Sequence, residues 1–338
     1  MMSGRWHPER KTLRALELRP GGTFRWRAVA PLRAPKPLAA VVRPIAVATC
    51  DMDRPIALGA TPFPAPLCFG HECVAEVLAV GSKVRTVRAG DRVVVPFQIS
   101  CGACPKCGAG HTGNCTRVPP ISMYGFGLAG GHWGGAIADE LAVPFADGML
   151  VPLPTGIDPV AAASVSDNVS DAWRHIGPHV QRDSRVLILS AMRDHLFTAS
   201  VPLYAGLIAQ AAALGIAAVT RSGARKLDPV ELVMDSTTTG AGLRFAMTKV
   251  APDGVCSSVG SLHKTAKLPF SAIYGRNATL HIGRAHARAV IPHVLELMTS
   301  GRLRPERVTT VVAPMDDAVK AMTEHARGGT TKTILTAS

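Results

Sequence analysis

The chain has 338 residues, 47% of them apolar and 18% charged, and its 37 Lys and Arg against 24 Asp and Glu give a formal charge of +13. That length can carry two domains with cores of their own, and that balance of apolar and charged residues excludes an intrinsically disordered chain. The basic residues are scattered and not interleaved with aromatics, so the positive excess predicts no nucleic-acid partner.

Taken in order, the segment from Met1 to Thr12 is polar and charged. It lacks the apolar stretch of a secretory signal, which predicts a cytoplasmic protein. From about Leu13 to Val151, short alternating apolar runs are broken by Gly and Pro. CVAEVLAV (73–80), DRVVVPF (91–97) and ELAVPF (140–145) are examples. They predict strands of a β-rich, barrel-like domain. Beyond Asn168 the pattern changes. RVLILS (185–190) reads as a buried strand, Val201 to Leu214 as a helix and Ala217 to Thr220 as a strand. ELVMDST (231–237), VCSSVG (255–260) and ATLHIG (278–283) read as further strands, and GLRFAMTKVA (242–251) as a helix. Strand and helix in alternation predict an α/β domain, a parallel sheet with helices on both faces. A helix follows over 287–301, and RVTTVVAP (307–314) returns to β character. The first domain therefore receives the end of the chain, with expected boundaries 1–167 plus 289–338 for the β-rich domain and 168–288 for the α/β domain.

Phe197 to Thr220 contains no charge and is long enough to cross a bilayer. It is Ala-rich and interrupted by Pro202, Gln210 and Gly215, and it reads as a buried helix and strand, because parallel strands covered on both faces are continuously apolar. No membrane association is predicted.

Of the eight cysteines, four lie within fifteen residues: Cys101, Cys104, Cys107 and Cys115. In a non-secreted chain such spacing points to metal and not to disulfides. One loop can wrap a tetrahedral zinc ion this way, and Gly102, Pro105, Gly108, Gly110 and Gly113 permit its turns. Four thiolates close the coordination sphere, so this site is structural.

A second set is dispersed. Cys50 lies in ATCDMD (48–53), His71 and Glu72 in FGHECVAEVLAVGSKV (69–84), and Asp167 in SVSDNVSDAW (164–173). Singly, they read as a small core residue, a hydrogen-bonded core histidine and a helix cap. Together with the four-cysteine segment they resemble the zinc-containing medium-chain dehydrogenase/reductase family, the relatives of alcohol dehydrogenase. The Gly70-His71-Glu72 segment with Gly81 and Val84 carries most of that resemblance, although Ala75 stands where the family has a glycine. Gly134 to Glu140 and Lys332-Thr333-Ile334-Leu335 add to it.

The resemblance implies a GroES-like β-rich catalytic domain joined to a Rossmann-like, doubly wound domain that is shortened here. It also implies two zinc ions per chain. Cys50, His71 and Asp167 would hold a catalytic zinc, with Glu72 behind it and Asp53 orienting the histidine. Lys332 would contact the cofactor pyrophosphate. The implied reaction is hydride transfer between a nicotinamide cofactor and a small alcohol or carbonyl substrate, in a homodimer or homotetramer.

The sequence also departs from that pattern. The three glycine positions of the nucleotide-binding turn fall on Ala199, Val201 and Tyr204. Thr220-Arg221-Ser222 replaces the acidic residue that binds the adenosine ribose, and Arg221 with Ser222 suits NADP better than NAD. Only nine residues separate Arg221 from Glu231, too few for a full helix and strand. Met52 replaces the family's proton-relaying hydroxyl, Asp51 stands next to it, and Asp171 replaces another hydroxyl near the nicotinamide. A second reading therefore stays open: a zinc-dependent lyase, isomerase or cyclase on the same scaffold that no longer binds NAD(P).

Overall fold

A computed structural model describes residues 12–190, 217, 221–259 and 267–337. They form two compact units, one drawn from the chain up to Ser170 and from His286 onward, the other from Asp171–Ala285. In chain order the strands are β1 (Leu13–Arg19), β2 (Thr23–Val29), β3 (Ala40–Ala48), β4 (Leu67–Cys68), β5 (Glu72–Val80), β6 (Arg92–Val95), β7 (Leu141–Val143) and β8 (Val151–Pro152). They continue with β9 (Val186–Ser190), β10 (Val230–Ser236), β11 (Val250–Ser258), β12 (Thr279–Ile282), β13 (Val311–Pro314) and β14 (Thr333–Thr336).

In the first unit a sheet runs in the order β13-β14-β3-β5-β6-β8, with β7 also on β3, beside a smaller sheet β2-β1-β4. Strand β3 is its spine. Val41, Val42, Ala46, Val47 and Ala48 are all buried, so β3 lacks the alternation of a strand with one wet face. Register positions the chemistry. Ala48 pairs with Glu72 on one side and with Ile334 on the other. Cys50, two residues past β3, therefore emerges between His71 and Lys332. The pairing of Cys73 with Val95 in β5 and β6 brings Phe97 to the same end.

Gly70 makes the turn into β5. Its φ is 87°, and a Cβ there would stand 2.6 Å from the Ile137 side chain, so only glycine fits. Ala136 N–H closes the turn by donating to Gly70 O at 2.7 Å.

The second unit carries a parallel sheet, ordered β12-β11-β10-β9 among the described residues. Val230, Val233, Leu243, Ala246, Met247, Val250, Cys256 and Ile273 form its core. The helix expected over 242–251 runs from Gly240 to Thr248, and β11 begins at Val250, five residues before the expected Val255. Thr239 caps that helix by accepting from Gly242 N–H. At the other end, Lys249 donates its ammonium to Arg225 O and Leu227 O. The early start of β11 is hidden in the sequence because its register to β10 shifts between Val250 and Val255. Asp253 takes a left-handed φ of 59° within that irregularity.

At 307–314 the first residues are a 3-10 turn, Pro305–Val308, and the strand starts only at Val311. A helix Arg221–Lys226 occupies the short link before β10. The expected helix Val201–Leu214, most of the expected strand 217–220 and the turn positions Ala199, Val201 and Tyr204 lie outside the described residues. No helix among the described residues is long and apolar enough to cross a membrane.

Candidate metal centres

The four cysteines converge. Their sulfurs all lie within 4.8 Å of one another. Cys104 Sγ and Cys115 Sγ are 3.9 Å apart. That is far beyond a disulfide and close to the roughly 3.8 Å edge of a tetrahedron with zinc–sulfur bonds of about 2.3 Å. Backbone N–H groups of Ala103 and Cys104 donate to Cys101 Sγ at 3.4 and 3.3 Å, and Cys101 N–H donates to Cys115 Sγ at 3.3 Å. These bonds stabilise thiolates. Gly102 lets the loop double back against Gly148, whose Cα would be 2.6 Å from any Cβ added there.

The dispersed set also converges. Cys50, His71, Glu72 and Asp167 each bring one donor atom to within 4.8 Å of the others. Cys50 sits in a turn locked at both ends. Its N–H donates to Asp53 Oδ2 at 2.9 Å, and Asp53 N–H returns to Cys50 O at 3.1 Å. His325 Nε2 also meets Cys50 O, at 3.3 Å, while its Nδ1 meets Thr330 Oγ1. Asp167 follows the 3-10 turn Ala163–Ser166 and immediately precedes the helix Asn168–Ile176. Ser166 O accepts from Phe97 N–H, tying that turn to the end of β6.

His71 is 1% exposed, and neither ring nitrogen makes a well-formed hydrogen bond. Nε2 lies 3.3 Å from Asp167 Oδ2, and Nδ1 lies 3.7 Å from Asp53 Oδ1, an atom that is itself buried without a hydrogen bond. Buried polar atoms left this way are costly unless something else satisfies them. Phe126 and Phe97 stand 4.9 and 5.9 Å from the His71 ring and keep that side apolar.

The electrostatics point the same way. Burial, then the charges of Asp51, Asp167, Glu72 and Asp53, hold the Cys50 thiol well above its ordinary range. Burial opposes a charged imidazole at His71, but Asp167, Asp53 and Glu72 outweigh it and raise its pKa to about 9. Both shifts describe buried acids short of positive charge. A divalent cation would supply it and draw the protons off Cys50 and His71. One sulfur, one imidazole nitrogen and carboxylate oxygen form a donor set that fits zinc.

Residues 36–155 match the alcohol dehydrogenase GroES-like domain family. Over 317 residues the chain is 31% identical to the "probable zinc-binding alcohol dehydrogenase Rv1895" of Mycobacterium tuberculosis, covering 87% of this chain and 81% of that protein. The chain belongs to the zinc-containing alcohol dehydrogenase family. It is thus an oxidoreductase of the zinc-binding, alcohol-dehydrogenase-like kind. It is also 38% identical over 117 residues to a glutathione-independent formaldehyde dehydrogenase of Pseudomonas aeruginosa (strain LESB58), a match that covers 34% of this chain and 29% of that protein. The solved alcohol dehydrogenase TADH from Thermus sp. ATN1 superposes with a TM-score of 0.85 at 27% identity, covering 96% of this chain and all of that one. The GroES-like and Rossmann-like architecture follows from these matches. The non-redox reading is not favoured by them.

Lys332 stands next to Glu72, one of the residues of the dispersed set. Its ammonium is buried and donates to Glu72 Oε2 at 2.8 Å, to Asn168 Oδ1 at 2.7 Å and to Thr49 O. All three N–H bonds have protein acceptors, so a contact with a cofactor pyrophosphate would require releasing one. Burial pushes the Glu72 carboxyl up, against the pull of Lys332. Arg221 and Ser222 open the short helix that precedes β10.

Three residues at the centre escaped the reading of the sequence: Thr49, Asn168 and His325. Thr49 and Asn168 each adjoin a candidate ligand, which is the one signal the sequence offered. His325 carries no local signal, since it reaches Cys50 from a helix, Ala318–Ala326, far along the chain.

Proposed function

We propose that the protein transfers hydride between NADP(H) and a small alcohol or carbonyl compound at a zinc ion held by Cys50, His71 and Asp167, and that a second zinc ion is held by Cys101, Cys104, Cys107 and Cys115. The observation carrying this reading is the buried meeting of Cys50, His71, Glu72 and Asp167 around a histidine with two unsatisfied nitrogens. Three ligands leave a position for substrate oxygen, and zinc there supplies Lewis acidity toward an alcohol or carbonyl oxygen.

The chain's own groups arrange the rest. Asp53 faces His71 Nδ1 and needs to close only a few tenths of an ångström to orient the ring. Glu72 is held on Lys332. Phe97 and Phe126 exclude water beside His71, which strengthens electrostatic interactions within the site. Met52 carries no exchangeable proton, so the alcohol proton leaves by a route other than the family's hydroxyl. Arg221 and Ser222 are the residues we assign to the 2′-phosphate of NADP, and Lys332, on releasing one of its three acceptors, to the cofactor pyrophosphate. A homodimer or homotetramer, readable by sedimentation, is the assembly proposed.

The test is a titration with NADPH, NADP, NADH and NAD, followed by nicotinamide fluorescence and thermal shift, beside metal analysis of the purified protein. Two zinc ions per chain and NADPH binding tighter than about 100 µM, or about 5 kcal/mol, are expected. Absence of binding by all four nucleotides at millimolar concentration rules out hydride transfer.

A further inference from the structure

Both side-chain polar atoms of Asn168 and its backbone N–H are engaged by the residues at and behind Cys50. Its Nδ2 stands 3.2 Å from Cys50 Sγ and 3.3 Å from Asp51 Oδ1. Its Oδ1 accepts from Lys332 Nζ at 2.7 Å, and its backbone N–H donates to Glu72 Oε1 at 3.3 Å. Chemistry fixes which way the amide faces. An ammonium can only donate, so the atom toward Lys332 is the oxygen, and the nitrogen must face the sulfur.

The amide's place matters because Cys50 Sγ and Asp51 Oδ1 are 3.1 Å apart. A thiol at Cys50 donates to that carboxylate. A thiolate cannot, and leaves two like charges side by side. The two N–H bonds of Asn168 Nδ2 then serve one anion each. On its other side, the Asn168 oxygen helps to hold the ammonium that pairs with Glu72.

We propose that Asn168 is a positioning residue with two linked tasks: its side-chain N–H tempers the electron donation of the Cys50 thiolate, and its oxygen and backbone N–H keep Glu72 on Lys332 and out of the metal's coordination sphere. The proposal rests on the reading of Cys50, His71 and Asp167 as metal ligands.

Cobalt(II) is the probe. Full-length apoprotein is reloaded with cobalt as wild type, C50S, N168A, N168D and N168A/E72Q. The wild-type minus C50S difference isolates the Cys50 sulfur-to-cobalt charge-transfer band, since the four-cysteine site is common to both. If that band is missing, the metal reading falls and takes this proposal with it. If it is present, N168A and N168D should both move it to longer wavelength, because neither side chain donates to sulfur. Only N168A should also weaken the d–d bands as Glu72 enters, and E72Q in the same chain should restore them. A role limited to folding would lower the melting temperature and leave both signals in place. An unmoved charge-transfer band in N168D, or d–d bands in N168A that E72Q does not alter, overturns the proposal.

Discussion

The two candidate metal centres are built in opposite ways. The four-cysteine site is drawn from one fifteen-residue segment, its turns are permitted by glycine, and backbone N–H groups address its sulfurs. The Cys50 site is assembled from four separate stretches, brought together by the register of β3 between β5 and β14 and by the 3-10 turn before Asp167. The first depends on local chain geometry. The second exists only once the fold exists. The difference also sets their chemistry. Four sulfurs leave no room for substrate, whereas a mixed set with one neutral ligand leaves a position and a delicate charge balance.

The largest effect should separate the two in stability. C104S removes one of four thiolates from a site of the kind that contributes folding energy outright, a loss of several kcal/mol. The melting temperature should fall by about 10 °C or more. Metal analysis should find one zinc fewer, and an unchanged melting temperature would mean the segment does not depend on its ion.

C50S should do the reverse. The melting temperature should move by only a few degrees, while turnover falls about a thousandfold, since a Lewis acid contributes several kcal/mol to a transition state. Steady-state kinetics with NADP(H) and calorimetry on the same sample decide it.

Lys332→Met probes the charge balance. Removing one partner of a buried ion pair costs about 3–5 kcal/mol, because the Glu72 carboxylate is left without a counter-charge. K332M/E72Q should recover about half of that loss in denaturant titrations. Additive losses would show that the pair is not coupled.

The smallest effect lies one helical turn beyond Asp167. Asp171 accepts from Arg174 Nε and Nη2 at 3.2 and 3.0 Å, and His175 is close by. Burial raises the Asp171 carboxyl, but His175 and Arg174 outweigh it and hold it below the usual range. A depressed carboxylate contributes stability above its unfolded pKa and loses it as pH falls through its folded pKa. Asp171→Asn should therefore cost about 2 kcal/mol near pH 7 and little under strongly acid conditions. Equal losses at both pH values would show that packing, and not charge, is what the carboxylate contributes. Asp171 is compensated by His175 and Arg174.

Legibility in the sequence followed the same divide. Spacing alone singled out Cys101, Cys104, Cys107 and Cys115, whose sulfurs converge because one loop is enough to bring them together. Cys50, His71 and Asp167 came from the family resemblance, since no local pattern tells a ligand histidine from a core one. The strands of β5, β6 and β10 stood close to where their apolar runs put them. β11 did not, because Asp253 and Gly254 hide a strand that starts before its apolar run. Asn168 was invisible for a different reason. An asparagine at the start of a helix carries no local mark of such a role, and its bonds to Cys50, Lys332 and Glu72 depend on three segments distant from it in sequence.

Strand β14 pairs with β3 and carries Lys332 to Glu72. In the time order of translation this separates the two cysteine-containing sets. The sulfurs of Cys101, Cys104, Cys107 and Cys115 are all present once Cys115 has left the ribosome. The Cys50 set lacks the Lys332 ammonium until Lys332 has been synthesised and β14 has docked on β3. An ion at the Cys50 set would therefore be the later of the two to load.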